Sequence, residues 1–503
     1  MKKKVFNKKN LYYVFLFVVV IFLSLVGLNS SPLNKGITQN DSAVFQIMGK
    51  GMIEGQVIYK DLFDHKGPIM YLINAIAYLI SPKIGLFVVE IVLIYIGALF
   101  IFKTSKIFVN EKISFIMALF YLMLFFLYSW GGNFTEEYAI TFVSIALFCI
   151  EKIIYEKKND NKLLWIIIGL TFALTFFIKP TYIAVWIAFG FAYLIYTIKE
   201  NKIKELIKYI IYMLIGILIV SVPIFIYLIV TEDISDFIKS FFIMNMKYST
   251  STLSEKKNAF LNLICNYKYF DFLVIGLISN VFILIDKNIK YENKIFITFF
   301  FIVSGVLTCW APRTYKHYLM QLAPTITFEL IMFVFLVSTL KLKDKEKELL
   351  KQIPVNIIYS FVIIYLIFTT SILISNELGV CSVVAKNGPI IAEMLNEVKA
   401  QLGKEDEMIV LGNEPYYYIY LEKQPKFKYF FQIPIILFDK DIQKETQDYI
   451  VKEKPKVIIK DFTSYDEPDF VNLYGNEVEN FIKQEYQEYD VGRFKYYIKN
   501  SDI

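Results

Sequence analysis

The sequence predicts an α-helical polytopic membrane protein with about eleven spanning helices, an interfacial helix in the first outer loop, and a C-terminal α/β domain outside the membrane. Three observations predict it. The 503 residues are 56% hydrophobic and 17% aromatic, with a mean hydropathy of +0.49. The apolar residues arrive in blocks, from Leu11–Leu28 up to a last one ending at Ile374, each near the roughly 20 residues that cross a ~30 Å hydrocarbon core. Lysines gather in short segments between the blocks. Backbone polar groups in lipid must pair within their own segment, so these runs read as helices. Buried helices of a large soluble core would account for one such run but not for the whole series.

The first run follows Lys2, Lys3, Lys4, Lys8 and Lys9, as a signal peptide would. It is long, however, and Leu28-Asn29-Ser30-Ser31 is a poor cleavage site, so it is read as the first spanning helix. The lysine clusters are the N-terminus, Lys103–Lys112, Lys152–Lys162, Lys199–Lys208, Lys287–Lys294 and Lys341–Lys351. With all six on the cytoplasmic side, spans fall near 11–29, 84–102, 113–130, 137–151, 163–179, 181–198, 209–230, 269–286, 295–310, 318–340 and 354–375. The N-terminus is then inside and the C-terminus outside. Gly67–Ile80 is apolar but short, and counting it as a span would put at least four lysine clusters outside. It reads instead as an interfacial or re-entrant helix on the outer face.

Residues 1–375 therefore form the membrane domain and 376–503 an extracytoplasmic domain. In the latter, Met408–Gly412, Lys456–Lys460 and Tyr496–Lys499 read as strands, and Ile391–Leu402 and Asp441–Lys452 have helical spacing. The net charge of +6 belongs to cytoplasmic loop lysines and excludes a nucleic-acid surface. Four cysteines (Cys149, Cys265, Cys309, Cys381) show no metal spacing and give no disulfide framework.

Nearly all the chemistry-bearing residues fall in the outer segments. The first holds Asp41, then Gly55-Gln56-Val57-Ile58-Tyr59-Lys60-Asp61-Leu62-Phe63-Asp64-His65-Lys66-Gly67-Pro68. Asp41 precedes an apolar stripe (Val44, Phe45, Ile47, Met48) that suits a helix lying on the membrane, where it would serve as a helix cap or a functional acid. The second is Trp130-Gly131-Gly132-Asn133-Phe134-Thr135-Glu136-Glu137-Tyr138. Thr135 can cap the helix that follows, but carboxylates at the edge of hydrocarbon are costly unless they face protein, water or a cation. Glu136 and Glu137 are candidate functional acids on that ground.

The third is Ala311-Pro312-Arg313-Thr314-Tyr315-Lys316-His317-Tyr318. The chain has only two arginines, Arg313 and Arg493, and only two histidines, His65 and His317. A planar guanidinium grips phosphate bidentately in a way that an ammonium cannot. Arg313, with Lys66, Lys179, His317 and Tyr315, forms a candidate set for binding a phosphate at membrane level. Asp61, Asp64 and His65 are donors suited to Mg²⁺, Mn²⁺ or Zn²⁺, although no rigid ligand spacing supports a metal.

An acid soon after the first span, then G-x-x-x-Y-x-D-x-F-x-H-K-x-P leading into an apolar helix, resembles the membrane glycosyltransferases of the C superfamily. The resemblance is to the bacterial relatives of protein O-mannosyltransferases and of the aminoarabinose transferase acting on lipid A. The GGNFTEEY element and the external C-terminal domain match as well. The resemblance covers the whole chain in layout and residues 38–75, 130–140 and 311–318 in motif. It implies transfer of a sugar, with inversion, from a polyprenyl-phosphate carrier to an acceptor on the outer face. Asp41 would be the general base, Lys66 and Arg313 would meet the carrier phosphate, and Glu136 or Glu137 would face the acceptor or a cation. This sequence departs from the pattern in two places. His65 stands where many relatives carry glutamate, and Asp41 is followed by Ser42 rather than by a second acid.

Two other readings compete. A transporter or flippase of lipid-linked glycans predicts ionisable residues at mid-membrane, which only Glu90 and Glu329 offer. A polymerase or ligase with an outer active site predicts an arginine-rich central loop, and 231–268 has no arginine. The partners expected are the bilayer, a polyprenyl-phosphate sugar and a glycan, lipid or protein acceptor.

Overall fold

The computed structural model describes residues 8–34, 38, 40–266, 270–287, 289–311, 313–339, 393–433, 435–437, 439–461, 470–491 and 494–500. The chain forms two compact units. The first comprises Met1–Leu33, Phe87–Tyr227 and Ser249–Ser375, and the second Asn34–Leu86, Leu228–Tyr248 and Asn376–Ile503.

The first unit is helical. Each of the first ten expected spans is a helix, and the eleventh, 354–375, lies outside the described residues. Among the described residues five helices are long and apolar enough to cross a membrane: Gly85–Phe108, Glu111–Tyr128, Ile203–Val230, Tyr291–Thr308 and Lys316–Thr339, the last beginning with a 3₁₀ turn over Lys316–Gln321. Thr135–Ile154 carries too many charges for that criterion, yet it buries Glu136, Glu137 and Glu151 along with its apolar residues. Close helix approach in this unit depends on small residues. A Cβ on Gly169 would stand 1.9 Å from the Met213 carbonyl oxygen, and one on Gly216 would stand 2.0 Å from that of Ile166. Helices Lys162–Phe176 and Ile203–Val230 therefore meet backbone to backbone, as membrane helices do where bulk would hold them apart.

The second unit holds the first outer segment and the sheet. Helix Asn40–Glu54 crosses helix Pro68–Ile80 at Gly49, where a Cβ would lie 2.6 Å from the Ala75 amide nitrogen. Pro68–Ile80 has 13 residues. At 1.5 Å per residue it spans only about 20 Å, too short to cross. It buries Met70, Tyr71 and Asn74 and exposes Leu72, Ile76, Leu79 and Ile80, the two-faced pattern of an interfacial helix.

The sheet has four strands: β1 (Met408–Gly412), β2 (Val457–Asp461), β3 (Tyr486–Val491) and β4 (Phe494–Lys499), in the order β1-β2-β4-β3. β1 and β2 are parallel, in register from Met408 opposite Val457 to Gly412 opposite Asp461; β4 runs antiparallel to both β2 and β3. Every residue of β1 is buried, which is why it reads as an unbroken apolar run. Its connection to β2 includes helix Lys440–Glu453, which buries Ile442, Thr446 and Ile450 on one face and is capped by the Asp439 side chain. β3 escaped the sequence reading because its exposed residues are polar and it pairs with β4 alone. It pairs with β4 from Tyr486 opposite Lys499 to Val491 opposite Phe494, and Tyr489 stacks on Tyr496 with centroids 5.1 Å apart.

The glycine contacts predict that Gly169→Ala and Gly216→Ala each lower stability by roughly 1–3 kcal/mol, despite alanine's better helix propensity. Gly190→Ala, where a Cβ meets nothing within 4 Å, should leave it unchanged or raised. Thermal unfolding in detergent measures both.

Candidate active site

In the first unit the site is built on a turn. Gly131, Gly132 and Asn133 have φ of +89°, +96° and +58°, three consecutive left-handed residues. A side chain on Gly132 would collide with Glu90, since its Cβ would lie 2.5 Å from Oε1. Glu90 is 1% exposed. Its Oε1 accepts from the Asn133 amide at 2.5 Å, and its Oε2 accepts from the Ser30 hydroxyl. The Asn29 amide donates to the Gly131 carbonyl at 2.5 Å. The Asn133 side chain in turn accepts from the Tyr138 hydroxyl at 2.8 Å. The turn is thus tied from both sides, which fixes where helix Thr135–Ile154 begins.

Both acids of that helix are buried, at 1% for Glu136 and 2% for Glu137. Glu136 Oε2 accepts from the Thr135 hydroxyl at 2.7 Å, so Thr135 is spent on its neighbour and does not cap the helix. Glu136 Oε1 is ion-paired with Lys179 and lies 3.6 Å from His317 Nε2. The Lys179 ammonium sits 4.2 Å from the centroid of the Tyr318 ring and 5.5 Å from that of Tyr182. His317 stacks on Phe134 at 4.7 Å and on Tyr315 at 5.6 Å. Glu137 Oε1 accepts from the Ser129 hydroxyl at 2.6 Å. Three segments far apart in sequence therefore converge on Glu136: the GGNFTEEY turn, the Lys179-Pro180 junction and the 311–318 loop. Arg313 lies half-buried in that loop, while Tyr315 is 37% exposed.

In the second unit helix Asn40–Glu54 starts one residue before Asp41, which places Asp41 in its first turn rather than at the cap. Ser42 to Phe45 turn inward while Asp41 is exposed, so its carboxylate is reachable. The Asp64-His65-Lys66 loop is held from within. The hydroxyls of two fully buried tyrosines, Tyr59 and Tyr71, meet the Lys66 carbonyl at 2.8 and 2.9 Å, and Tyr71 also lies 3.0 Å from Asp64 Oδ2. Lys66 Nζ donates to His65 Nε2 at 2.6 Å, which places the ring proton on Nδ1, 3.3 Å from Asp64 Oδ1. Burial alone would push the Asp64 carboxyl up; hydrogen bonds from His65 and the charges of His65 and Lys66 outweigh it and hold Asp64 below the ordinary carboxylate value. Burial, then the Lys66 charge, pushes His65 down, against the pull of Asp64 and Asp41.

This row does not fit a metal. His65 Nε2 faces an ammonium, and Asp61 Oδ2 is engaged with the Val57 amide at 2.7 Å. Among the described residues no three His, Cys, Asp or Glu side chains gather as a ligand set. Glu90, Tyr59 and Tyr71 are the residues that sequence reasoning missed as site builders. Tyr59 had a signal in its place in the motif, and Glu90 had one as an acid within an apolar span.

Residues 1–384 match the family described as the competence-induced protein Ccs4 N-terminal domain. The chain belongs to that family. No curated protein matches the sequence. Among solved structures, this Ccs4-family chain is similar to ArnT from Cupriavidus metallidurans bound to undecaprenyl phosphate, with a TM-score of 0.65 and 11% identity over 97% of this chain and 98% of that one. The apo form of the same ArnT gives 0.63 and 12%, covering 98% of each chain. The chain has the fold of ArnT along its whole length.

Two outcomes follow. Glu90→Ala should release the turn and lower stability by about 1–3 kcal/mol, whereas Glu90→Gln, which still accepts from Asn133, should cost less; thermal unfolding distinguishes them. In the second unit Asp233 is fully buried, and neither carboxylate oxygen has a hydrogen-bond partner among the described residues. Burial, then the Asp236 charge, pushes it up to about 7, against Lys428 and Lys60. The folded state then holds a proton that the unfolded state releases near 3.9, so stability is lost as pH rises toward and through about 7. Asp233→Asn should therefore stabilise the protein by on the order of 1 kcal/mol or more at pH 8 and by little at pH 4, read as the pH dependence of unfolding.

Proposed function

We propose that this protein is a glycosyltransferase that moves a sugar from a polyprenyl-phosphate carrier to an acceptor on the outer face of the membrane, with inversion. The observation that carries the reading is the end-to-end likeness to a transferase structure that holds undecaprenyl phosphate. It is supported by an exposed acid in the first turn of the helix after the first span, and by a lysine fixed before Gly67-Pro68. The N-terminus is then cytoplasmic and residues 376–503 extracytoplasmic, following the lysine clusters.

In this mechanism Asp41 accepts the proton of an acceptor hydroxyl as that oxygen attacks the anomeric carbon. The bond from that carbon to the phosphate oxygen breaks, and the polyprenyl phosphate leaves with the electron pair. Lys66 meets the charge that grows on the phosphate, which is the main electrostatic demand of the step. Lys179 and His317 serve through Glu136, with which they are already paired, and hold it ready to orient the acceptor. Tyr315 stacks on His317 in the first unit. No step is drawn through a metal.

The transport reading gains no support. Both oxygens of Glu90 are engaged with the turn, and Glu329 Oε1 accepts from Asn280 at 2.5 Å. Glu90 anchors the turn, while Glu329 Oε2 has no hydrogen-bond partner among the described residues.

Asp41→Asn keeps the shape and removes the base, so kcat should fall by about 10²-fold or more, with the KM for the donor little changed. Protein in liposomes supplied with labelled undecaprenyl-phosphate sugars measures it. Turnover at the wild-type rate would remove Asp41 from the role of base.

A further inference from the structure

We infer that Asn245 is a positioning residue for Lys66, acting from the helical run that follows the spanning helix Ile203–Val230. The run consists of α-helical Ile234–Phe237, a π-helical stretch Ile238–Met244 and α-helical Asn245–Ser249. π-Helical turns are rare and concentrate at functional sites. Here the run has two apolar faces. Phe237, Phe241 and Met244 are buried, and Phe237 lies edge-on to Tyr59 at 5.5 Å. Ile234, Ile238, Phe242, Ile243 and Met246 are exposed, the last at 72%. A helix that begins four residues after a membrane-crossing one has lipid to cover that outer face.

Asn245 sits at the end of the π-helical stretch and divides its two amide protons. One goes to the Phe241 carbonyl of its own helix at 2.8 Å, the other to the His65 carbonyl at 2.6 Å. Tyr248, one turn on, faces the His65 ring at 5.7 Å. The His65 and Lys66 carbonyls flank the Lys66 Cα, and each is held: the first by Asn245, the second by Tyr59 and Tyr71. Pinning two successive peptide planes fixes the direction in which the Lys66 side chain leaves the backbone. Tyr59 and Tyr71 belong to the loop's own neighbourhood, whereas Asn245 comes from the lipid-covered helix. That helix thereby sets the ammonium in register with a phosphate carried by the membrane. The role demands two donors on a short arm; aspartate has none and alanine has no side-chain polar group.

The inference rests on the proposal that Lys66 meets the carrier phosphate, and the test separates the two. Full-length protein in phosphatidylglycerol-containing nanodiscs is titrated with undecaprenyl phosphate, and transfer from labelled undecaprenyl-phosphate sugar gives KM and kcat. Asn245→Ala and Asn245→Asp should each raise the Kd for undecaprenyl phosphate and the KM for the donor roughly 3- to 10-fold, with kcat within about twofold, as loss of one hydrogen bond allows. In a Lys66→Ala background Asn245→Ala should add nothing, and Asn245→Gln, which keeps both donors, should recover part of the affinity. Unchanged Kd in Asn245→Ala while Lys66→Ala weakens binding overturns the positioning role alone. Equal binding by wild type and Lys66→Ala overturns the phosphate reading of Lys66 itself. A full additive loss in the double variant shows that Asn245 acts elsewhere, and sinks the inference.

Discussion

A carboxylate that is 1% exposed at the head of an apolar helix must be surrounded by donors, because an unpaired buried charge is among the most expensive things a fold can contain. Glu136 meets that requirement by drawing in Lys179 and His317, which arrive from two other segments. The same demand explains Glu90, whose two oxygens are met by a hydroxyl and a backbone amide. The first unit is therefore organised at this end by acids that cannot be left alone. Its helices are otherwise free to pack on apolar surface and on small residues such as Gly169 and Gly216.

The second unit carries a buried acid of its own, Asp64, which lies beside Tyr71 and His65. Its Asp64-His65-Lys66 loop is short, and a lysine on a short loop has several rotatable bonds to lose before its ammonium is fixed. Three side-chain hydrogen bonds to two consecutive carbonyls remove backbone freedom at Lys66, and the imidazole of His65 receives its ammonium. Preorganisation of this kind is what an electrostatic role in a transfer step requires, since stabilisation of growing charge is largest when the donor need not move. It also explains the departure at His65. A glutamate beside Lys66 would form an ion pair, whereas an imidazole kept neutral by its burial and by Lys66 accepts a hydrogen bond from the ammonium.

Much of the architecture was legible along the chain because lipid imposes a length and a polarity that local sequence must satisfy by itself. Ten helices stand where apolar runs stood, Pro68–Ile80 stays short, and β1 reads as a strand because both of its faces are buried. The segments that carry the acids and cations were legible between the apolar runs, and Asp41 stands exposed in one of them. What did not show was who partners whom. Lys179 and His317 could not be assigned to Glu136 by spacing, since 43 residues separate the first pair. Tyr71 and Asn245 looked like ordinary aromatic and amide positions, and Glu90 stood out only as an acid within a span.

The sequence by itself determined the membrane class, the helical segments and the identity of the chemical groups on offer. These depend on runs of neighbouring residues meeting lipid or water, and such runs are local. The tertiary structure alone decided which carbonyl Asn245 would hold, which turn Glu90 would clamp and which cations would neutralise Glu136. Those choices depend on hydrogen bonds that act only over about 3 Å, between segments that chain order leaves far apart.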